Sequence, residues 1–565
     1  MYIKVTKNSA GQQYYHLVES YWENGKSRQR TLMALGKAGD DRMDEVIAAI
    51  GKHKEVLTIL ELAKNISADE TYILGPLLIL QRFFENSGID QILREISNKH
   101  QQLGFDLRNA VFTMAAARFV KPGSKLKVYD HWLERLYPEM VDADLQLHQL
   151  YRALDILSEH KDEIEKALFF RGRDLFSLDV DVVLYDLTTL RFESTRTDLG
   201  KLRQFGYSKE RRNDCTQVVF GLLVTPEGVP LGFEVYPGNT FEGQTINSIV
   251  TKLREKYRVR RFIFVADRGL FSKKNLQALR ADNKLGEYIV GMKLGVFKKR
   301  HGEFYDISRY HWVNDDLAVY ETVHESDRCI ITWSRARAER DRQAREDILD
   351  KIRHKLAKKK VNAKEFVTHR AYKRYVTGLA EGEQPALNEQ AIAQDSARDG
   401  YFGVVTNIAT MTAAQIVDNY KALWIVEDAF GEFKGNLKAR PVFHWRDRRI
   451  IGHLTLCFLA YYCESHMTIA LRDKGLLLES KAIEDGIIEP RPLTVVEAMA
   501  QLQEVRAIPV SVRDTTIWVR TDISGNAYKL LSAVGMKPPP KVLAVRKKEN
   551  LLAQTQGVTV SMRND

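Results

Sequence analysis

Apolar and polar positions change rhythm several times along the chain, and each change predicts an element. Residues 13–34, QYYHLVESYWENGKSRQRTLMA, set aromatic and branched residues around Asn24-Gly25, which predicts a β-hairpin. From residue 41 to about 175 apolar positions recur at helical spacing, as in LGPLLILQRFFENSGIDQIL and LQLHQLYRALDILSEHKDEIEKAL. At residue 178 the texture turns to strands. LDVDVVLYDLTTLRFES is an apolar run interrupted by Asp186, and CTQVVFGLLVTPEGVPLGFEVYPGN predicts two strands joined at Pro226-Glu227-Gly228. TFEGQTINSIVTKLREKY predicts a helix. VRRFIFVADRGLFSKKNLQALR predicts a strand, a turn and a second helix, and YIVGMK (288–293) one more strand.

Three meandering strands followed by a helix and a strand match the opening of a ribonuclease-H-like fold, so the expected class is mixed α/β (α+β). After residue 293 the pattern digresses. FYDISRYHWVNDDLAVYETVHESDRCIITW predicts antiparallel strands, and RARAERDRQAREDILDKIRHKLAKKK a basic helix. FGVVTN (402–407) then returns to a short buried strand and leads into a helix containing YKALWIVEDAFGEFK (420–434). The expected organisation is a β-hairpin region (1–40), a helical and candidate DNA-end-binding domain (41–175), and a core (176–293 and 401–470). A β-rich insertion (294–400) interrupts that core, and a C-terminal region (471–565), a candidate for oligomerisation, follows it.

Composition narrows the class. The chain has 565 residues, too many for one compact domain, and is 44% hydrophobic and 28% charged, as globular proteins are. Its formal charge of +11 favours an anionic partner, nucleic acid ahead of membrane. Lys26, Arg28 and Arg30 share one strand face, available to phosphates or simply to solvent. The four cysteines form no CxxC pair and no disulfide framework, and the histidines show no zinc spacing. The N-terminus lacks a signal-peptide core, and LTLCFLAYYC (454–463) is too short to span a bilayer, so a cytoplasmic protein with a buried helix there is expected.

Three carboxylates stand out by position. Asp186 sits inside an apolar strand, Asp267 closes another just before Arg268-Gly269, and Glu427 lies on the helix after the last short strand. A carboxylate in an apolar strand is costly unless paired or bound to a cation. Three such acids could cradle hard divalent ions, and two ions about 3.5–4 Å apart could activate a water or hydroxyl and stabilise a leaving phosphodiester oxygen. A single strand-end Asp is commonly a turn or helix cap. It is the joint order of two strand acids and a helix acid that points to chemistry. Tyr420, Glu427 and Lys434 recur every seven residues, nearly two turns, and so share a helix face.

That row resembles the Y-x2-R-x3-E-x6-K signature of DDE-type insertion-sequence transposases. VLYDLTTL resembles the family's first-aspartate strand and FVADRGL its second. GYSKERRNDCTQV, YPGNTFEGQT and ARPVFHW (439–445) resemble further stretches, and a β-rich insertion before the glutamate is also family-like. The resemblance covers roughly residues 176–465. It implies that Asp186, Asp267 and Glu427 hold two Mg²⁺ ions, with Mn²⁺ able to replace them. It implies that Tyr420 and Lys434, and with them Arg268 and Arg440, contact double-stranded DNA at transposon ends, and that a homodimer pairs those ends. The reaction implied is phosphodiester hydrolysis that leaves a 3′-hydroxyl, which then attacks target DNA. One position departs: Leu423 stands where the signature has arginine. Two other readings stay open, a ribonuclease-H-like nuclease that cuts without joining and an inactive transposase-derived DNA-binding protein.

Overall fold

The computed structural model describes residues 2–23, 26–39, 70–171 and 181–547, except 208–211, 213, 258–261, 271–276, 278–285, 325, 358–363, 368–369, 381–382, 479–490 and 513–514. The Asn24-Gly25 turn, the helices expected over 41–69, Asp179 and the helix expected after Asp267 lie outside the described residues. Two compact units emerge: residues 1–161 with 435–439 and 448–565, and residues 162–434 with 440–447.

In the first unit, β1 (Tyr2–Lys7), β2 (Gln13–Glu23) and β3 (Lys26–Lys37) form an antiparallel sheet, one strand more than the hairpin expected. Lys26, Arg28 and Arg30 are exposed on β3, with Arg30 paired to Glu19 at 2.8 Å. After β4 (Tyr72–Ile73) come the helices α1 (Gly75–Ser87), α2 (Ile89–Asn98), α3 (Leu107–Val120), α4 (Lys125–His131) and α5 (Leu147–Glu159). Pro76 opens α1 and Gly88, at φ 75°, closes it, a conformation glycine adopts without strain. Leu77, Leu80 and Phe84 of α1 are fully buried at helical spacing.

The second unit begins with α6 (Lys161–Arg171) and is built on a nine-stranded sheet. β5 (Asp181–Arg191), β6 (Gln217–Val224) and β7 (Pro230–Pro237) meander antiparallel. The helix α7 (Ile246–Glu255) carries the chain across to β8 (Phe262–Ala266), which pairs parallel to β5, and β9 (Gly286–Gly291) pairs parallel to β8. The order β7-β6-β5-β8-β9, with β6 alone antiparallel to the other four, is the ribonuclease-H-like arrangement. β6 and β8 are buried along their whole length, as continuous apolar runs require.

Residues 294–400 extend this sheet with three strands and add a separate two-stranded ribbon. β10 (His311–Trp312), β11 (Leu317–His324) and β12 (Asp327–Ser334) join it through β15 (Tyr401–Thr406), which pairs antiparallel to both β12 and β9. Between them lie α8 (Arg335–Leu356) and the ribbon of β13 (Val376–Thr377) with β14 (Ala386–Leu387), packed around Leu349, Ile352, Phe366 and Tyr375. The cations of α8 are largely spoken for: Arg342 pairs with Glu339, Arg345 with Asp399 and Arg353 with Asp350. Trp333 is half-buried and donates to the Asp399 carbonyl, whereas Trp312 is exposed.

The signature stretch forms α9 (Ala413–Lys421) and α10 (Trp424–Lys434), and the chain then enters α11 (Asp447–Asp473). The run LTLCFLAYYC is the buried middle of α11. Among the described residues no helix is long and apolar enough to cross a membrane. The C-terminal stretch adds a ribbon of β16 (Leu477–Leu478) and β17 (Arg491–Pro492), the helices α12 (Val495–Leu502) and α13 (Gly525–Ala533), and the strands β18 (Arg506–Val512), β19 (Thr515–Arg520) and β20 (Val542–Lys547). The last three strands and β4 form one sheet.

One buried carboxylate ties α6 to β7 of the nine-stranded sheet. Glu165 is fully buried; it accepts from the Phe233 backbone at 3.1 Å and pairs with Lys252 at 2.7 Å and with Lys256. Removing it takes away the fully buried counter-charge that the two lysines share and leaves Lys252 to Glu234 and Lys256 to Asp162, both more exposed acids. Glu165→Ala is therefore expected to cost about 3–5 kcal/mol, read as a lowered urea midpoint; an unchanged midpoint would contradict the role.

Candidate active site

Strand register sets the first two acids. In the parallel β5–β8 pair, Tyr185 lies opposite Ala266, so the next residues, Asp186 and Asp267, follow side by side. Adjacent strands run about 4.8 Å apart. β8 ends at Ala266, while β5 continues past Asp186, still paired to β6 through Leu222. Asp186 is half-buried and Asp267 exposed.

The third acid comes from a broken helix. A single helix was expected across residues 420–434, but α9 stops at Lys421 and α10 starts at Trp424. Leu423 donates to the Tyr420 carbonyl at 3.1 Å and Val426 to that of Leu423 at 3.0 Å, the tighter three-residue bonding that ends one helix and starts the next. Leu423 points inward and is only 9% exposed, so an arginine at this position would have to bury its charge. α10 packs on the sheet through Phe430 and Phe433, whose rings lie 6.3 and 5.2 Å from Phe220 of β6. Glu427, one turn before Phe430, is left exposed, with Trp424, 60% exposed, one turn before it, and Lys434 half-exposed two turns after.

Tyr420, at the end of α9, reaches the second acid. Its hydroxyl donates to Asp267 Oδ1 at 3.1 Å, and its ring packs 4.9 Å from Phe402. Burial pushes its phenol far above the usual range and the Asp267 charge adds to the effect, so the hydroxyl stays a donor. Arg268 and Arg337 bear on the same phenol in the opposite direction, and Arg337, in the first turn of α8, sits 4.8 Å from the Phe402 ring. Gly291 makes room for this contact: a Cβ there would lie 2.5 Å from the Tyr420 hydroxyl and 2.9 Å from the Arg268 backbone nitrogen. Sequence reading missed Gly291, Phe402 and Arg337. The glycine breaking the apolar strand YIVGMK was the available signal.

Arg268 is exposed directly after Asp267, and Arg440 is half-buried in the stretch whose Val442 donates to the Arg191 carbonyl at 3.1 Å. The donor set of Asp186, Asp267 and Glu427 is all oxygen, which suits a hard divalent cation. Among the described residues, their ligand oxygens do not all lie within 4.8 Å of one another.

Comparison with known proteins bears on this geometry. The family described as "Transposase DDE domain" matches residues 179–463, half of the chain, and "IS1634 family transposase, N-terminal domain" matches residues 3–59. No curated protein matches. A solved structure of the piggyBac transposase synaptic complex with hairpin DNA is similar over 77% of this chain and 82% of its own, at 10% identity and a TM-score of 0.38. A likeness that low supports no argument about this chain.

The Gly291–Tyr420 contact yields a test independent of activity. Gly291→Ala is expected to cost about 1–3 kcal/mol of stability. The cost should shrink in a Tyr420→Phe background, where the first atom it meets is gone. Additive effects in a thermal-unfolding double-mutant cycle would contradict the contact.

Proposed function

The chain belongs to the DDE-domain transposases, enzymes that act on DNA, and on that premise we propose that Asp186, Asp267 and Glu427 are its catalytic acids. The observation that carries the reading is the β5–β8 register, which aligns the two aspartates on neighbouring parallel strands, with the α10 glutamate based on the same sheet. Two Mg²⁺ ions, replaceable by Mn²⁺, would supply an activated water or 3′-hydroxyl and neutralise the leaving oxygen.

The protein's own residues do the rest. Tyr420 fixes the Asp267 carboxylate through its hydroxyl and is a positioning residue for it. The exposed Arg268, with Lys434 and Arg440, would contact phosphates of transposon-end DNA, and Arg337, whose charge bears on the Tyr420 phenol, would add a further cation. The exposed Trp424 offers a stacking face for a base beside Glu427. Cleavage at inverted-repeat ends, followed by joining to target DNA, requires two ends held together, and a homodimer would meet that need. The site of action would be the nucleoid in the cytoplasm.

The test is cleavage and strand transfer on a labelled duplex carrying the element's ends, with Mg²⁺ or with EDTA. Wild type is expected to cut and join only with metal. Asp186→Ala, Asp267→Ala and Glu427→Ala should each lower cleavage by at least about 10³-fold while binding the duplex nearly as well. Retained cleavage in any of the three would overturn the assignment; cutting without joining would leave a nuclease.

A further inference from the structure

A second donor cluster lies in the first unit, away in sequence from the three acids. His100, Glu159 and His160 each offer a ligand atom, all within 4.8 Å of one another. The two imidazoles face each other through Nε2 at 2.9 Å, with their rings nearly perpendicular. Both are held by their backbones. His100 donates to the Ser97 carbonyl at 2.9 Å in the turn after α2, and its own carbonyl accepts from Leu103 at 3.1 Å. His160 caps α5 by donating to the Ile156 carbonyl at 3.0 Å. Arg448 grips one oxygen of Glu159 at 2.9 Å while its Nε donates to the Asp155 carbonyl at 3.2 Å, which aims the carboxylate and leaves its second oxygen available.

We propose that His100, Glu159 and His160 bind one divalent transition-metal ion of the zinc, cobalt or nickel class. Two imidazoles and a carboxylate are the donor set such ions take, with the remaining positions filled by water. Magnesium, which prefers oxygen ligands, is a poor match. Nitrogens about 2.05 Å from one ion stand about 2.9 Å apart at a right angle and about 3.4 Å apart in a tetrahedron. The observed spacing meets the first, and a small ring movement gives the second. Binding replaces the imidazole–imidazole hydrogen bond: the ring carrying its proton on Nε2 shifts it to Nδ1, and both Nε2 lone pairs turn to the ion. Arg448 acts as the outer partner that orients a ligand. The ion would staple the turn after α2 to the end of α5 and stabilise the helical unit, with no part in strand cleavage.

The experiment uses the full chain freed of metal, titrated with Co²⁺ followed by visible absorption and with Zn²⁺ followed by calorimetry, with Mg²⁺ as control. Wild type and Glu427→Gln are expected to take up one Co²⁺ with a visible ligand-field band and to melt several degrees higher with Zn²⁺. His100→Ala and His160→Ala should lose the band and the Zn²⁺-dependent shift. Metal-free melting of each variant reports whether it folds, and His100→Gln replaces an alanine variant that does not. Uptake unchanged in the histidine variants, or lost only in Glu427→Gln, would overturn the proposal, as would a wild type that binds no Co²⁺: the pair would then be a hydrogen-bonded couple and nothing more.

Discussion

The structure of the catalytic unit hangs on one pairing, the parallel ladder between β5 and β8. It sets Asp186 and Asp267 as neighbours, two like charges about one strand spacing apart. Without counter-charge that placement is unfavourable, since like charges at that spacing repel. The surroundings answer in two ways. β8 ends at Ala266, so Asp267 meets solvent instead of a buried sheet, and Tyr420 gives it a hydrogen bond. What remains is a concentration of negative charge at one end of the sheet, the condition under which a hard cation binds.

A second consequence follows from the helix break. Had residues 420–434 formed one helix, Tyr420 and Glu427 would stand in a single row. The turn at Ala422–Leu423 instead separates the two tasks: α9 delivers the tyrosine to Asp267, and α10 seats the glutamate through Phe430 and Phe433. Leu423 belongs to that seating. Its burial explains how the chain tolerates a leucine where the family signature has arginine, and Arg337 from α8 brings a charge to the same tyrosine by another route.

Much of this was legible in the sequence because burial writes itself into composition. Strands β5, β6 and β8 are covered on both faces and read as apolar runs, so Asp186 and Asp267 stood out as interruptions. The helix spacing isolated Glu427 in the same way. Less legible was anything that depends on which strands pair. The strands β10 to β12 have strand-like patterns, but nothing local says that they continue the central sheet through β15. The C-terminal sheet was missed because β18 carries a proline, Pro509, and its partner β4 is two residues long and lies over 430 positions earlier. The Gly291–Tyr420 and Arg337–Phe402 contacts are tertiary, and a single sequence shows at most the glycine that breaks YIVGMK, not the partners it meets. The basic helix α8 reads first as a solvated face held by ion pairs and second as a phosphate surface, and several of its arginines do pair with acids nearby.

The central claim is that the three acids form one metal-binding centre at the end of the β5–β8 ladder. Anomalous diffraction from crystals soaked in Mn²⁺ tests it most directly. The account predicts manganese peaks at Asp186, Asp267 and Glu427, with carboxylate oxygens about 2.0–2.3 Å from the ions. Manganese bound elsewhere while these three carboxylates stay free of it would contradict the account.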